Sequence, residues 1–455
     1  MLVSFKSTNV GPMASVDLAF ASRLNVFTGD NSLGKSFLLD LLWFGLTRHW
    51  PHELNPRLDG GYPARPTVIR DKAELAYRMR TLTARTPKPV SFLFDKVSQS
   101  WKTQRGRPLQ PGLVVYALAD GSFAVWDPIL NYWTDSGDPG KSKESAFVLS
   151  RPELWPSDSR ERSRFCKGVI EGWATWQRDK DERLFTFLKT VFEALLPDEE
   201  TIKVAELESV PLADGGDQPT LEFGYGTVRL QYASSAVRRM AALSYVLVWA
   251  VSQHVDAAKN RGVNPTHSVI LLFDEIEAHL HPRWQRSIVR GVRTAIPRLC
   301  EAAGLPQAKM QVFLSTHSPL VMSALEDEFA SSPDGENKWF DFDMVPGTGR
   351  VTISERPFAP QGTAENWLKS QAFDLDSTYS PEVTGLVSKA EQILKDGGGM
   401  PKPASFCSLR ELANNLANRL PEGDELVFRI CELLEPIRPL GANSTTKHGT
   451  LTDKC

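Results

Sequence analysis

At 455 residues, 41% of them apolar and 24% charged, the chain is too long for one hydrophobic core and too apolar for extended disorder, so it reads as a main domain with attached lobes. A formal net charge of -3 excludes a bulk polycation, and nucleic-acid binding would need a local basic patch. Five scattered cysteines without a C-x-x-C pair argue against a zinc site or a disulfide framework, and neither a signal-peptide run nor a membrane-length apolar stretch is present, so the expected location is the cytoplasm.

Leu2 to Phe27 alternates apolar and polar residues about the turn Asn9-Val10-Gly11-Pro12, which predicts strands. Phe37 to Arg48 predicts a helix packed on a sheet. Between them Gly29-Asp30-Asn31-Ser32-Leu33-Gly34-Lys35-Ser36 fits G-x-x-x-x-G-K-S in the strand–loop–helix order that a phosphate loop requires. The two glycines let backbone N–H groups wrap phosphates, Lys35 reaches the β- and γ-phosphates, and the Ser36 hydroxyl is a ligand for Mg²⁺. Asn9, in the preceding turn, is counted with the nucleotide contacts.

From Pro51 to about Gly226 short strand-like pieces (Val90 to Phe94, Leu113 to Leu118, Phe123 to Trp126) alternate with Pro, Gly and Asp turns and read as an inserted lobe. Glu182 to Leu196 is a helical stripe stopped by Pro197. Between Arg65 and Arg107 stand 11 Lys or Arg against three Asp or Glu, with Tyr77, Phe92, Phe94 and Trp101 among them. That is either a DNA phosphate-binding face or a solvated strand surface.

A helix over Ala233 to Val255, a buried strand over Val269 to Phe273, a helix over Arg283 to Ala295 and a buried strand over Met310 to Leu314 follow, an alternation that predicts an α/β sheet covered by helices. The first of these strands ends in Asp274 and Glu275. Asp274 can hold Mg²⁺ beside Ser36, and Glu275 can polarise the water that attacks the γ-phosphate. The second ends in Ser315-Thr316-His317-Ser318-Pro319, where His317 can hydrogen-bond the γ-phosphate. Ser234 and Ser235 precede a helix start, where hydroxyls serve equally as an ordinary N-cap or as γ-phosphate donors. Beyond Ala359 the composition turns helical, with a glycine linker at Gly397 to Gly399, one or two amphipathic helices within Ser408 to Leu440, and a frayed tail from Gly441. Asp374 and Asp376 read as a turn rather than a nuclease centre.

These strings resemble ABC-type ATPases of the SMC, Rad and OLD group, and in particular the short prokaryotic AAA-family proteins with D-E-I-E-A-H-L-H-P (Asp274 to Pro282) and S-T-H-S-P (Ser315 to Pro319). The resemblance covers roughly Met1 to Arg48 and Ala233 to Ile353. It implies an ABC-type P-loop core in two parts (1–50 and 231–358), an inserted α+β lobe (51–230) and a helical C-terminal lobe (359–455). It also implies bound ATP and Mg²⁺, and head-to-tail pairing in which each ATP lies between one copy's phosphate loop and the other's signature segment. The candidate signature, Tyr232 to Arg239, lacks the two glycines of transporters, and His281 stands where transporters carry a coupling aspartate. Without coiled-coil arms or a membrane-coupling helix, the layout is similar to the PtuA-like ATPase subunits of Septu anti-phage systems, whose companion is a separate HNH nuclease. Two other readings stay open: an autonomous DNA-stimulated ATPase of repair or replication, and a nucleotide-sensing scaffold that barely hydrolyses.

Overall fold

The architecture is that of a computed structural model, which describes residues 1–51, 72–81, 86–95, 97, 100–103, 109–131, 146–156, 159–209, 216–375, 377–396 and 406–420. Contacts divide the chain into two units, 1–373 and 374–455.

The first unit is built on an eight-stranded sheet. Its order is Arg350–Arg356, Asn337–Val345, Leu24–Gly29, Lys309–Ser315, Ser268–Phe273, Leu113–Ala117, Phe123–Trp126 and Phe147–Leu149. The five strands from Asn337–Val345 to Leu113–Ala117 run parallel, and the outer ones are antiparallel. Because side chains alternate along a strand, each of these buried strands feeds two cores. Val26, Val115, Leu271 and Leu314 pack on one face with the helices Arg183–Leu195, Ser235–Arg261 and Pro282–Ala302. Phe27, Val114, Leu272 and Phe313 pack on the other, with the helix Lys35–Thr47 and an antiparallel sheet of Met13–Ala19, Leu2–Val10, Glu74–Met79, Lys88–Asp95 and Ser100–Thr103. Gln311 staples the two sheets. Its amide carbonyl accepts the Leu2 N–H at 2.8 Å, and its amide nitrogen donates to the Leu2 and Ala21 carbonyls at 2.8 Å each.

The expected mixed α/β sheet is present, but 51–230 is not a lobe set apart from it. Its described strands extend the N-terminal sheet (Glu74–Met79 to Ser100–Thr103) or complete the main sheet (Leu113–Ala117 to Phe147–Leu149). A short apolar strand looks the same in sequence whether it pairs with its neighbour or with a distant strand, since pairing is non-local. The helix expected to stop at Ala295 runs on through Pro297 to Ala302, because Ile296, Leu299 and Cys300 are buried and offset the lost backbone bond. The boundary expected at 359 falls after Phe373, since Phe358 and Trp367 pack against Trp339.

In the second unit the helices Pro381–Asp396 and Phe406–Ala417 share a small core of Val383, Ala390, Ala413 and Leu416. The Gly397 to Gly399 linker, Asp376 and everything from 421 onward lie outside the described residues.

Candidate nucleotide site

Three neighbouring parallel strands end at one edge of the main sheet, and each delivers one of the sequence-predicted groups. Leu24–Gly29 leads into the glycine loop, Ser268–Phe273 into Asp274 and Glu275, and Lys309–Ser315, lying between them, into Thr316 and His317. The loop conformation requires its glycines: Gly29 has φ 122°, and a Cβ there would meet the Phe342 carbonyl oxygen at 2.4 Å, while Gly34 has φ 96°. Ser32 also lies in the left-handed region at φ 67°. Within this curl the Lys35 ammonium donates to the Gly29 and Asp30 carbonyls at 2.8 and 2.7 Å. Burial pushes its pKa down to about 8, against the pull of Glu275, Asp274 and Asp30. Asn31 and Leu33 complete the loop, with Leu33 buried beneath it.

The two acids sit in different surroundings. Asp274 is buried and accepts hydrogen bonds from the Ser315 hydroxyl, at 2.7 Å, and from Ser36; burial raises its pKa, and those bonds oppose the rise. Glu275 keeps its side chain 41% exposed. Its backbone is left-handed, at φ 48°, a conformation that costs an ordinary residue about 1–2 kcal/mol. Contacts on both sides hold it there: its N–H donates to Ser315 Oγ at 2.9 Å, and its carbonyl accepts from Ala278 N at 2.9 Å and from Arg239 Nη2 at 3.2 Å. His317 Nε2 lies 3.8 Å from Glu275 Oε1, beyond hydrogen-bonding distance. Burial first, and then Lys35, lower the His317 pKa and favour neutral imidazole.

The remaining predicted residues lie elsewhere. The Asn9 amide donates to the Lys72 carbonyl at 3.1 Å, although its turn lies close by, with Pro12 Cγ 3.2 Å from where a Gly34 Cβ would stand. Ser234 and Ser235 are exposed, and Ser234 caps its helix by accepting the Val237 N–H at 3.4 Å, so the cap is real in this chain. Ser235 borders a cleft of about 400 Å³ with Asp120, Arg151, Trp155, Arg238 and His279. His281 caps the helix Pro282–Ala302. In the basic segment, Arg78 and Arg80 are exposed, whereas Tyr77 and Phe92 are core residues, so those two aromatics are not available to stack on bases. Arg65, Arg85 and Arg107 lie outside the described residues.

The sequence reading gave no role to three residues that the structure places here. Ser315 bridges Asp274 and the Glu275 peptide, Glu277 accepts the His317 N–H at 2.5 Å, and Arg239 reaches the Glu275 carbonyl. The only signal available for them was membership of the strings around Asp274, His317 and Ser234. Together these groups form an anion-wrapping loop, a buried cation, one buried and one exposed carboxylate and a neutral imidazole, the set that phosphoryl transfer to water uses.

A family described as an AAA domain, putative AbiEii toxin, type IV toxin–antitoxin system, matches residues 141–323, less than half the chain. The chain is similar to the Retron Vc95 probable ATPase of Vibrio cholerae serotype O1 biovar El Tor, 27% identical over 128 residues, which are 28% of this chain and 21% of that one. It is also similar to the Septu protein PtuA of Bacillus mycoides (strain KBAB4), 41% identical over 69 residues, 15% of this chain and 8% of that one. The match thus spans about a fifth or less of either relative. Among solved structures, the SMC head domain from Thermotoga maritima aligns at 11% identity with a TM-score of 0.35, over 78% of this chain and 99% of that one.

Proposed function

We propose that this chain, which carries an ATPase-like AAA domain and is PtuA-like at low identity, binds ATP with Mg²⁺ on the loop 29–36 and hydrolyses it as the regulatory subunit of an anti-phage defence complex. In this reading nucleotide-dependent pairing of two or more copies controls a separate HNH nuclease. The observation that carries the hydrolytic part is the convergence of Lys35, Asp274, Glu275 and His317 at one edge of the parallel sheet. The defence part is supported by the likeness to the Septu protein PtuA. The exposed Arg78 and Arg80 offer the same protein a surface for DNA.

The residues fit the proposed ligands. With no Cβ at Gly29 or Gly34 the loop amides are free to face phosphate oxygens, and Lys35 would turn from its two carbonyls to the β- and γ-phosphates. Ser36 and Asp274 are neighbouring oxygen donors of the kind Mg²⁺ takes. Among the described residues no cluster of three His, Cys, Asp or Glu surrounds such an ion, so phosphate oxygens and water would complete its shell. When bound, Mg²⁺ neutralises charge on the β- and γ-phosphates. Glu275, exposed and strand-anchored, accepts a proton from the attacking water, and neutral His317 donates to the γ-phosphate. Arg239 and Ser315 hold the Glu275 peptide still.

The test is Glu275→Gln. It should retain ATP while turnover falls by about 10² to 10⁴, since a lost general base costs about that much. Used as an ATP-trapped bait, the variant should pair by light scattering and copurify a stoichiometric small HNH nuclease from its host. Unchanged hydrolysis removes the assigned base. Recovery of only repair or replication proteins moves the reading to an autonomous DNA-stimulated ATPase.

A further inference from the structure

Arg239 lies in the second turn of the helix Ser235–Arg261, and its side chain is mostly buried, with the guanidinium directed into its own chain. Nη1 donates to the Ala119 carbonyl at 3.1 Å and Nη2 to the Glu275 carbonyl at 3.2 Å. Ala119 follows the strand Leu113–Ala117, whose last carbonyl accepts the Asp274 N–H at 2.9 Å. One side chain therefore ties the start of a long helix to both backbone segments that frame the acidic pair.

Glu277 completes the arrangement. It is 9% exposed and accepts the His317 N–H at 2.5 Å through Oε1 and a hydrogen bond from the Thr316 side chain. The strained Glu275 peptide is thus held by Arg239, and the neighbouring His317 peptide by Glu277.

We propose that Arg239 is a positioning residue for the catalytic carboxylate of its own chain, transmitting the state of the helix start at Ser234 and Ser235 to Glu275 through its hold on the Glu275 carbonyl. This deepens the ATPase reading and rests on it. Ser234 and Ser235 are exposed on the first turn, where a second copy would dock, and a shift there moves the Arg239 backbone and its hold on the Glu275 carbonyl. The fixed geometry matters because a displacement of about 1 Å at a reacting group can cost about 10² in rate.

The experiment compares Arg239→Ala and Arg239→Lys in the full chain with ATP and Mg²⁺. Steady-state kinetics are read alongside hydrogen exchange of the amides of residues 274–278. Arg239→Ala should lower kcat by about tenfold or more with KM little changed, and speed exchange at 274–278 in ATP-bound protein. Arg239→Lys, which keeps the charge but not the two-carbonyl fork, should fall between Arg239→Ala and wild type. Unchanged kcat and exchange in Arg239→Ala overturn the proposal, and so does a loss of ATP affinity and melting temperature in step with kcat. If wild type itself shows no turnover, the ATPase reading fails separately. Exchange at 274–278 in the ATP-bound variants then decides for positioning if it quickens and against it if it does not.

Discussion

Lys35 is 5% exposed and holds two loop carbonyls, and its low pKa of about 8 has a consequence for nucleotide binding. Above that pH the free protein has lost the proton, while phosphates placed on the ammonium would draw it back. Binding then takes up a proton, so affinity should be nearly flat below about pH 8 and fall by up to about tenfold per pH unit above it. Calorimetry in two buffers of different ionisation enthalpy measures both effects, and a pH-independent affinity with no proton uptake would mean that Lys35 keeps its proton above pH 8 in the free protein. Asp274 and Glu275 make the complementary point. Adjacent in sequence and both carboxylic acids, they are separated by burial: Asp274 is enclosed, while the Glu275 side chain is open to water.

The strand ends explain why three short strings, up to some 290 residues apart, come together. Parallel strands present their C-terminal ends on one side of a sheet, so a loop, an acidic pair and a histidine placed after three neighbouring strands meet without any local signal. The helix Ser235–Arg261 is the second element that matters, because its first turn carries the cap and its second turn carries Arg239. Ser234→Ala should cost about 0.5 to 1 kcal/mol in urea unfolding, the low end for a cap, given its long 3.4 Å bond. If Ser234 also faces a second copy's γ-phosphate, the same variant should weaken ATP-dependent pairing while one copy's ATP affinity is kept. Intact pairing reduces Ser234 to a cap. The strands, helices and loop were legible in the sequence because their periodicity and glycine placement are local. The partners of the strands between 74 and 149 were not, because a strand's pairing depends on which distant edge is free.

At the scale of the molecule, the boundary after Phe373 predicts where the chain tolerates a cut. A chain ending at Phe373 should keep the melting temperature and ATP affinity of the first unit. One ending at 358 loses Trp367, which is fully buried against Trp339 and Phe358 and whose Nε1 donates to Glu326 at 2.6 Å. It should be destabilised by about 3–5 kcal/mol, as when a buried Trp is truncated. Equal stability of the two truncations by thermal unfolding would place the boundary earlier. The composition shift at 359 was visible, but a tryptophan docking back across it is a tertiary contact that composition does not carry.

The sequence by itself determined the α/β class, the glycine loop and the chemical identity of the acids and the histidine, because these depend on periodicity and on residue types that few other roles require. Only the tertiary structure decided that the segment after Pro51 builds both sheets, that Asp274 is enclosed while Glu275 is more open, and that Arg239 ties the helix start to the Glu275 carbonyl. Each of these depends on burial and on hydrogen bonds between residues 36 to 156 positions apart, distances over which a linear pattern carries no information.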